Sequence, residues 1–201
     1  MSSRIFTLPN FLTVIRMVLV PVFVTALYYQ RFFWALAIFV FAGVTDGVDG
    51  FLARRFNQKS QLGTILDPIA DKLLLVTSFI TLSLASIVGR GNHLPVPFWV
   101  TAAVISRDVF IVVGAAAINI VTGFRGFRPS LLGKVNTVVQ ITAIIIILSM
   151  ARFPALRGYV LPTVYAVVFA SALFSGVHYI FHVARIMNED RHDRDVPEDD
   201  L

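Results

Sequence analysis

The sequence predicts an all-α integral membrane protein of six transmembrane helices, and three observations predict it. Hydrophobic residues (AVILMFWYC) make up 57% of the chain and charged residues only 14%, against about 25% charged in a typical soluble domain. Mean hydropathy is +0.78, which leaves too little polar surface to cover a water-soluble globule. The apolar residues also fall into six stretches that meet or approach the roughly 20 residues a helix needs to cross a bilayer core. This composition excludes soluble enzymes, nucleic-acid-binding modules and disordered chains. With no cysteine, it also excludes disulfide scaffolds, thiolate metal sites and cysteine nucleophiles.

The first stretch, 11–29, is too long for a signal-peptide core and lacks a small-residue cleavage site, so it reads as a span. Gln30–Arg31 separates it from the second, 32–53, and the polar run Arg54–Gln61 separates that from the third, 68–88. Gly89–Pro95 then precedes 97–121, Gly123–Pro129 precedes 131–151, and Arg152–Arg157 precedes 159–185. No internal repeat is visible. In the last span Ser171 with Ser175, and Ala172 with Gly176, have the small-xxx-small spacing of close helix contacts; Gly114 and the alanines after it could serve the same way. His178 and His182 are four apart, a spacing that can bind metal. Without a third ligand they read as packing or hydrogen-bonding residues.

Lysine and arginine set the orientation. Arg4, Arg54, Arg55, Lys59, Arg125, Arg128, Lys134 and Arg185 fall on one side of the alternating spans, and Arg31, Arg90, Arg152 and Arg157 on the other. The heavier side is expected in the cytoplasm, with both termini. The short N-terminus before the first span has no mitochondrial-type presequence, so a bacterial inner membrane is the expected location. Residues 189–201 hold seven acidic side chains against two arginines and read as a solvated, disordered tail outside a membrane domain at 1–188.

Only five acidic residues remain: Asp46, Asp49, Asp67, Asp71 and Asp108, all in or beside apolar segments. A carboxylate near hydrocarbon costs several kcal/mol and is by default a functional candidate. Asp46 and Asp49 are three apart at the inner end of span two, on one helix face. Asp67 and Asp71 are four apart at the start of span three, also on one face, and Pro68 is tolerated there because a first helical turn has no N–H partner to lose. If the two helices are antiparallel neighbours, four carboxylates converge. They cannot all stay ionised side by side without cations, and hard oxygen donors in this number suit one or two Mg²⁺, Mn²⁺ or Ca²⁺ ions. Gly50 and Gly63 remove bulk where backbone could approach a ligand, and Arg54 offers planar donors suited to phosphate. Helix capping would explain one or two of these aspartates, not four in paired registers.

The stretch 46–71 resembles the signature of the CDP-alcohol phosphotransferase family, D-x2-D-G-x2-A-R-x8-G-x3-D-x3-D, at every defined position. The likeness runs from Leu8-Pro-Asn-Phe-Leu-Thr-Val-Ile-Arg16 to about residue 185. It implies six helices enclosing a polar cavity open to the cytoplasm. Asp46, Asp49, Asp67 and Asp71 would hold two divalent cations, Mg²⁺ or Mn²⁺, against the pyrophosphate of a CDP-linked lipid. Asp71 would be the general base for the acceptor hydroxyl, and Gly50, Ala53, Arg54 and Gly63 would receive the cytidine and phosphates. A homodimer is a further implication.

Length and plan resemble the members that use CDP-diacylglycerol, with two competing acceptors: phosphatidylglycerol, giving cardiolipin, and glycerol-3-phosphate, giving phosphatidylglycerophosphate. The segments Leu94-Pro-Val-Pro97, Ile105-Ser-Arg107-Asp108-Val and Lys134-Val-Asn136-Thr137-Val-Val-Gln140 resemble the cardiolipin-forming type. Phosphatidylglycerophosphate synthases more often read Gly-Lys-x-Lys-Thr in the last region, where this chain has Asn136 for the second lysine. Phosphatidylglycerol is therefore the favoured acceptor. Arg107, deep in span four, would contact an acceptor phosphate or balance Asp108 and the aspartate cluster. Arg125, Arg128 and Lys134 are the other candidate acceptor cations. A cation transporter would also carry intramembrane aspartates, but these sit at one inner edge, and the Gly-Ala-Arg constellation would have no role in conduction.

Overall fold

Among the described residues six α-helices lie on the six apolar stretches and no strand occurs. The structure is a computed structural model. It describes residues 8–55, 61–84, 96–122 and 131–194, and side chains within 14–45, 72–84, 96–114 and 131–181. The elements are α1 (Leu8–Tyr28), α2 (Phe32–Arg55), α3 (Gln61–Ser83), α4 (Phe98–Thr122), α5 (Leu131–Ser149), a 3₁₀ turn at Pro154–Leu156, and α6 (Arg157–Arg194). Leu131–Ser149 and Pro154–Phe181 are each long and apolar enough to cross a membrane. Val14–Tyr28, Phe32–Thr45 and Lys72–Ser83 are shorter apolar helical segments among the described residues.

Helix limits depart from the apolar limits in two places. α3 begins at Gln61, not at 68, so Gly63 and Asp67 are already helical. Pro68 is the eighth residue of that helix, not a first-turn residue; lacking an N–H, it cannot supply the helical donor to the Thr64 carbonyl. α6 likewise runs past 185 through the start of the acidic segment to Arg194. Helix formation responds to backbone propensity as well as apolarity, and polar residues such as Gln, Lys, Arg and Glu are good helix formers.

Two tight connections set neighbouring helices beside one another. α1 ends with Gln30 in the left-handed region (φ 55). There the Arg31 N–H reaches the Ala26 carbonyl at 2.8 Å and the Gln30 N–H reaches Leu27 at 2.9 Å, the paired bonds of a Schellman ending. At the other hairpin Arg157, the first residue of α6, donates through Nε to the Met150 carbonyl and through Nη2 to Ala151, both at 2.7 Å. A cation thereby satisfies carbonyls just past the C-terminal end of α5, where the helix dipole favours it.

α1 packs on α2 and α3, α5 packs on α2, α3 and α6, and α4 packs on α3 and α6. Their shared core includes Phe23, Phe39, Phe79, Val100, Ile144 and Val168. The outward faces are apolar too: Phe33, Phe98, Phe174 and Phe181 are each more than two-thirds exposed. Helices apolar on all sides belong in a membrane or a large core. The small residues of α6 are used within the chain: Ala172 and Ser175 are buried, Gly176 lies against Arg107 Cγ, and Gly114 on α4 lies against the Tyr179 ring.

Candidate active site

The four aspartates sit on continuous helical backbone. Asp46 and Asp49, with Gly50, Ala53 and Arg54, belong to the second half of α2. Gly63, Asp67 and Asp71 belong to the first half of α3. The i,i+3 and i,i+4 registers thus stand, and each pair shares a helix face. Their side chains lie outside the described ones, and Arg125 and Arg128 fall in 123–130, outside the described residues. As a donor set, four carboxylates in two helical pairs fit hard divalent cations.

Around these segments the described side chains form a buried polar framework. Lys72, the residue after Asp71, places Nζ 2.6 Å from Asp108 Oδ1. The same oxygen lies 2.7 Å from Arg107 Nη1. Arg107 then donates through Nε and Nη2 to the Ser175 hydroxyl, at 3.1 and 2.7 Å. Arg107 and Asp108 are 6% and 7% exposed, whereas the Lys72 side chain is 43% exposed. A buried ion pair holds only when further hydrogen bonds satisfy its remaining donors; Ser175 does this for the guanidinium. The described contacts of Arg107 therefore balance Asp108 and tie α4 to α6, while Lys72 ties α3 to α4.

A second polar group spans α5 and α6. Lys134 is exposed at the start of α5, but Asn136 and Gln140 are 1% and 2% exposed. The Ser171 hydroxyl lies 3.0 Å from Asn136 Oδ1 and 2.9 Å from the Val168 carbonyl, sharing one proton between them. On α1, which packs against both aspartate-bearing helices, Arg16 is 1% exposed. Of the histidine pair, His178 is exposed and the His182 side chain lies outside those described.

Sequence reading passed over Arg16, Lys72, Gln140 and the hydroxyl of Ser175 as functional candidates. A usable signal existed for Arg16, since a lone arginine inside an apolar stretch is costly unless it faces the bundle interior. Ser175 offered none; a serine at small-xxx-small spacing reads equally as a packing residue.

The family model for CDP-alcohol phosphatidyltransferases matches residues 6–178. A CDP-diacylglycerol–glycerol-3-phosphate 3-phosphatidyltransferase of Blochmanniella floridana is 32% identical over 191 residues, covering 91% of this chain and 94% of that protein. A putative cardiolipin synthase of Mycobacterium bovis is 40% identical over 111 residues, 55% of this chain and 49% of the relative. The CMP-forming cardiolipin synthase of Rattus norvegicus is 36% identical over 151 residues, 67% and 47% respectively. The chain thus spans nearly all of the first relative and about half the length of the other two.

Proposed function

The chain belongs to the CDP-alcohol phosphatidyltransferase family and is a phosphatidyltransferase; from that premise we propose that it moves the phosphatidyl group of CDP-diacylglycerol to phosphatidylglycerol, forming cardiolipin and CMP. The observation that carries the acceptor is Asn136, a buried neutral amide beside Ser171 where phosphatidylglycerophosphate synthases more often carry a second lysine. The attacking end of phosphatidylglycerol is an uncharged glycerol. Glycerol-3-phosphate instead brings a phosphate monoester, which calls for a dense cation site.

In this reading the Asp71 carboxylate accepts the proton of the attacking hydroxyl. That oxygen bonds to the lipid-linked phosphorus of CDP-diacylglycerol, and the bond from this phosphorus to the bridging oxygen breaks, so CMP leaves with the electron pair. Asp46, Asp49, Asp67 and Asp71 would hold two Mg²⁺ or Mn²⁺ ions, which supply charge stabilisation for the pyrophosphate and leaving phosphate. Gly50, Ala53, Arg54 and Gly63 receive the CDP moiety. Arg107, Arg125, Arg128 and Lys134 flank the acceptor, Arg107 through the framework around Asp108.

The proposed setting is a bacterial inner membrane, with six spans, both termini and the cavity mouth on the cytoplasmic side, a homodimeric assembly, and an acidic tail after residue 188. The basic residues support this orientation. So do the exposed aromatic residues Tyr28, Tyr29, Phe33, Trp34, Phe98 and Trp99, which sit at helix ends that this topology assigns to the opposite interface, where aromatic belts form.

A second reading, glycerol-3-phosphate as acceptor, is favoured by the near-full-length match to the Blochmanniella transferase. Purified protein in detergent, given CDP-diacylglycerol and Mg²⁺ or Mn²⁺ with each acceptor separately, decides between them by product mass. Cardiolipin supports the first reading; phosphatidylglycerophosphate alone overturns it in favour of the second.

A further inference from the structure

Buried polar atoms are normally hydrogen-bonded, and one left unmet away from water is costly. Two side-chain amides on α5 break that rule. Among the described residues neither Asn136 Nδ2 nor Gln140 Nε2 has a hydrogen-bond partner, although both residues are at least 98% buried. They stand at i and i+4, on one helix face and about 6 Å apart along the axis. That face is the inner one, which continues into Ala143, Ile144 and Ile147. α5 packs against α2 and α3 as well as α6, and α2 and α3 are the helices that carry the four aspartates.

Packing does not account for the pair. An amide offers two N–H donors and two lone pairs, and Ser171 meets only one of those needs in Asn136. Gln140 has no such neighbour for its nitrogen. The Tyr165 hydroxyl on α6 is another buried polar atom with no partner among the described residues. Leucine at either amide position would fill similar space without a polar group to desolvate, so the described fold gains nothing from these donors. Unmet among the described residues, neutral and on one helix face, the two amides suit an oxygen-rich ligand of no net charge at the contact.

We propose that Asn136 and Gln140 form the acceptor-headgroup site, donating amide N–H groups to oxygen atoms of an uncharged polyol held for attack by way of Asp71. This rests on the acceptor reading above and deepens it to two specificity-determining residues. Neutral donors match hydroxyl oxygens, whereas a phosphate monoester is better served by cations. A site built to hydrogen-bond a substrate also rejects analogues that leave its donors unpaired.

The test uses full-length protein in mixed micelles, comparing wild type with Gln140→Leu, Asn136→Leu and Ser171→Ala. Each leucine variant should raise the acceptor KM about tenfold, leave the KM for CDP-diacylglycerol within about twofold, and keep or raise the thermal midpoint, because an unmet polar group has been removed. Ser171→Ala, which releases Asn136, should give a smaller rise in the same KM. Asn136→Lys should shift preference toward glycerol-3-phosphate. An unchanged acceptor KM in both leucine variants overturns the site, as does activity that falls only in step with the thermal midpoint. A wild type that uses glycerol-3-phosphate alone overturns the acceptor reading separately. In that case the Gln140→Leu KM for glycerol-3-phosphate still decides the site: a rise retains it for that acceptor's hydroxyls, and no change removes it.

Discussion

Arg107 and Ser175, 68 residues apart, are joined by two hydrogen bonds: the arginine Nε and Nη2 both point at one serine hydroxyl, at 3.1 and 2.7 Å. The third arm of the guanidinium is held by Asp108, which also takes Lys72. One carboxylate and one hydroxyl thereby hold α3, α4 and α6 together beside the segment that carries Asp67 and Asp71.

Removing the shared carboxylate should be the most damaging change in this framework. Asp108→Ala leaves Arg107 buried without its counter-charge, a loss of about 3–5 kcal/mol where a buried pair is broken. Lys72→Met removes a partner that is 43% exposed, and exposed pairs contribute about 0–1 kcal/mol. Thermal unfolding in detergent should therefore show a large fall for the first variant and a small one for the second. Equal falls would mean that the Lys72 contact is as important as the buried Arg107 contact.

Asp71→Asn should reduce CMP release by at least about 10²-fold, the lower end of general acid–base contributions, with helical content retained by circular dichroism. Asp46→Asn or Asp67→Asn should shift the metal activation curve to higher Mg²⁺ or Mn²⁺ concentration. An unchanged metal titration would remove those residues from the ligand set.

Gly114 is constrained by contact. A Cβ there would lie 2.8 Å from Tyr179 Cε1, so Gly114→Val must push the ring or separate α4 from α6. Overpacking of this kind costs about 1–3 kcal/mol. Tyr179→Ala should restore much of the loss in the double variant, read as non-additivity of the two shifts in unfolding midpoint.

Arg157→Met should loosen the α5–α6 hairpin by removing the two 2.7 Å bonds to Met150 and Ala151. Hydrogen bonds to charged groups contribute about 1.5–3 kcal/mol each when formed, and partial exposure reduces that. Faster amide exchange confined to 149–157, with activity preserved, is the expected signature; exchange unchanged in that segment would contradict the role.

The helical class, the six apolar stretches and the paired registers of Asp46/Asp49 and Asp67/Asp71 were all legible in the sequence. Each depends on periodicity along one helix, and that is a local property. The start of α3 at Gln61 was not, because polar residues that end an apolar run need not end a helix. Apolarity also understated α6, whose helix continues into charged residues to Arg194.

What the sequence alone determined is a chain made for a membrane, with four aspartates in registers that suit divalent cations and a phosphate-transfer signature around them. What only the tertiary structure decided is who pairs with whom: Arg107 with Ser175, Lys72 with Asp108, and Asn136 with Ser171 while the Gln140 nitrogen stays unmet among the described residues. Those relationships depend on which helix faces meet and at what depth. Local spacing carries no information about either, so a deep arginine could be read from sequence as a ligand contact or a counter-charge until packing supplied its partners.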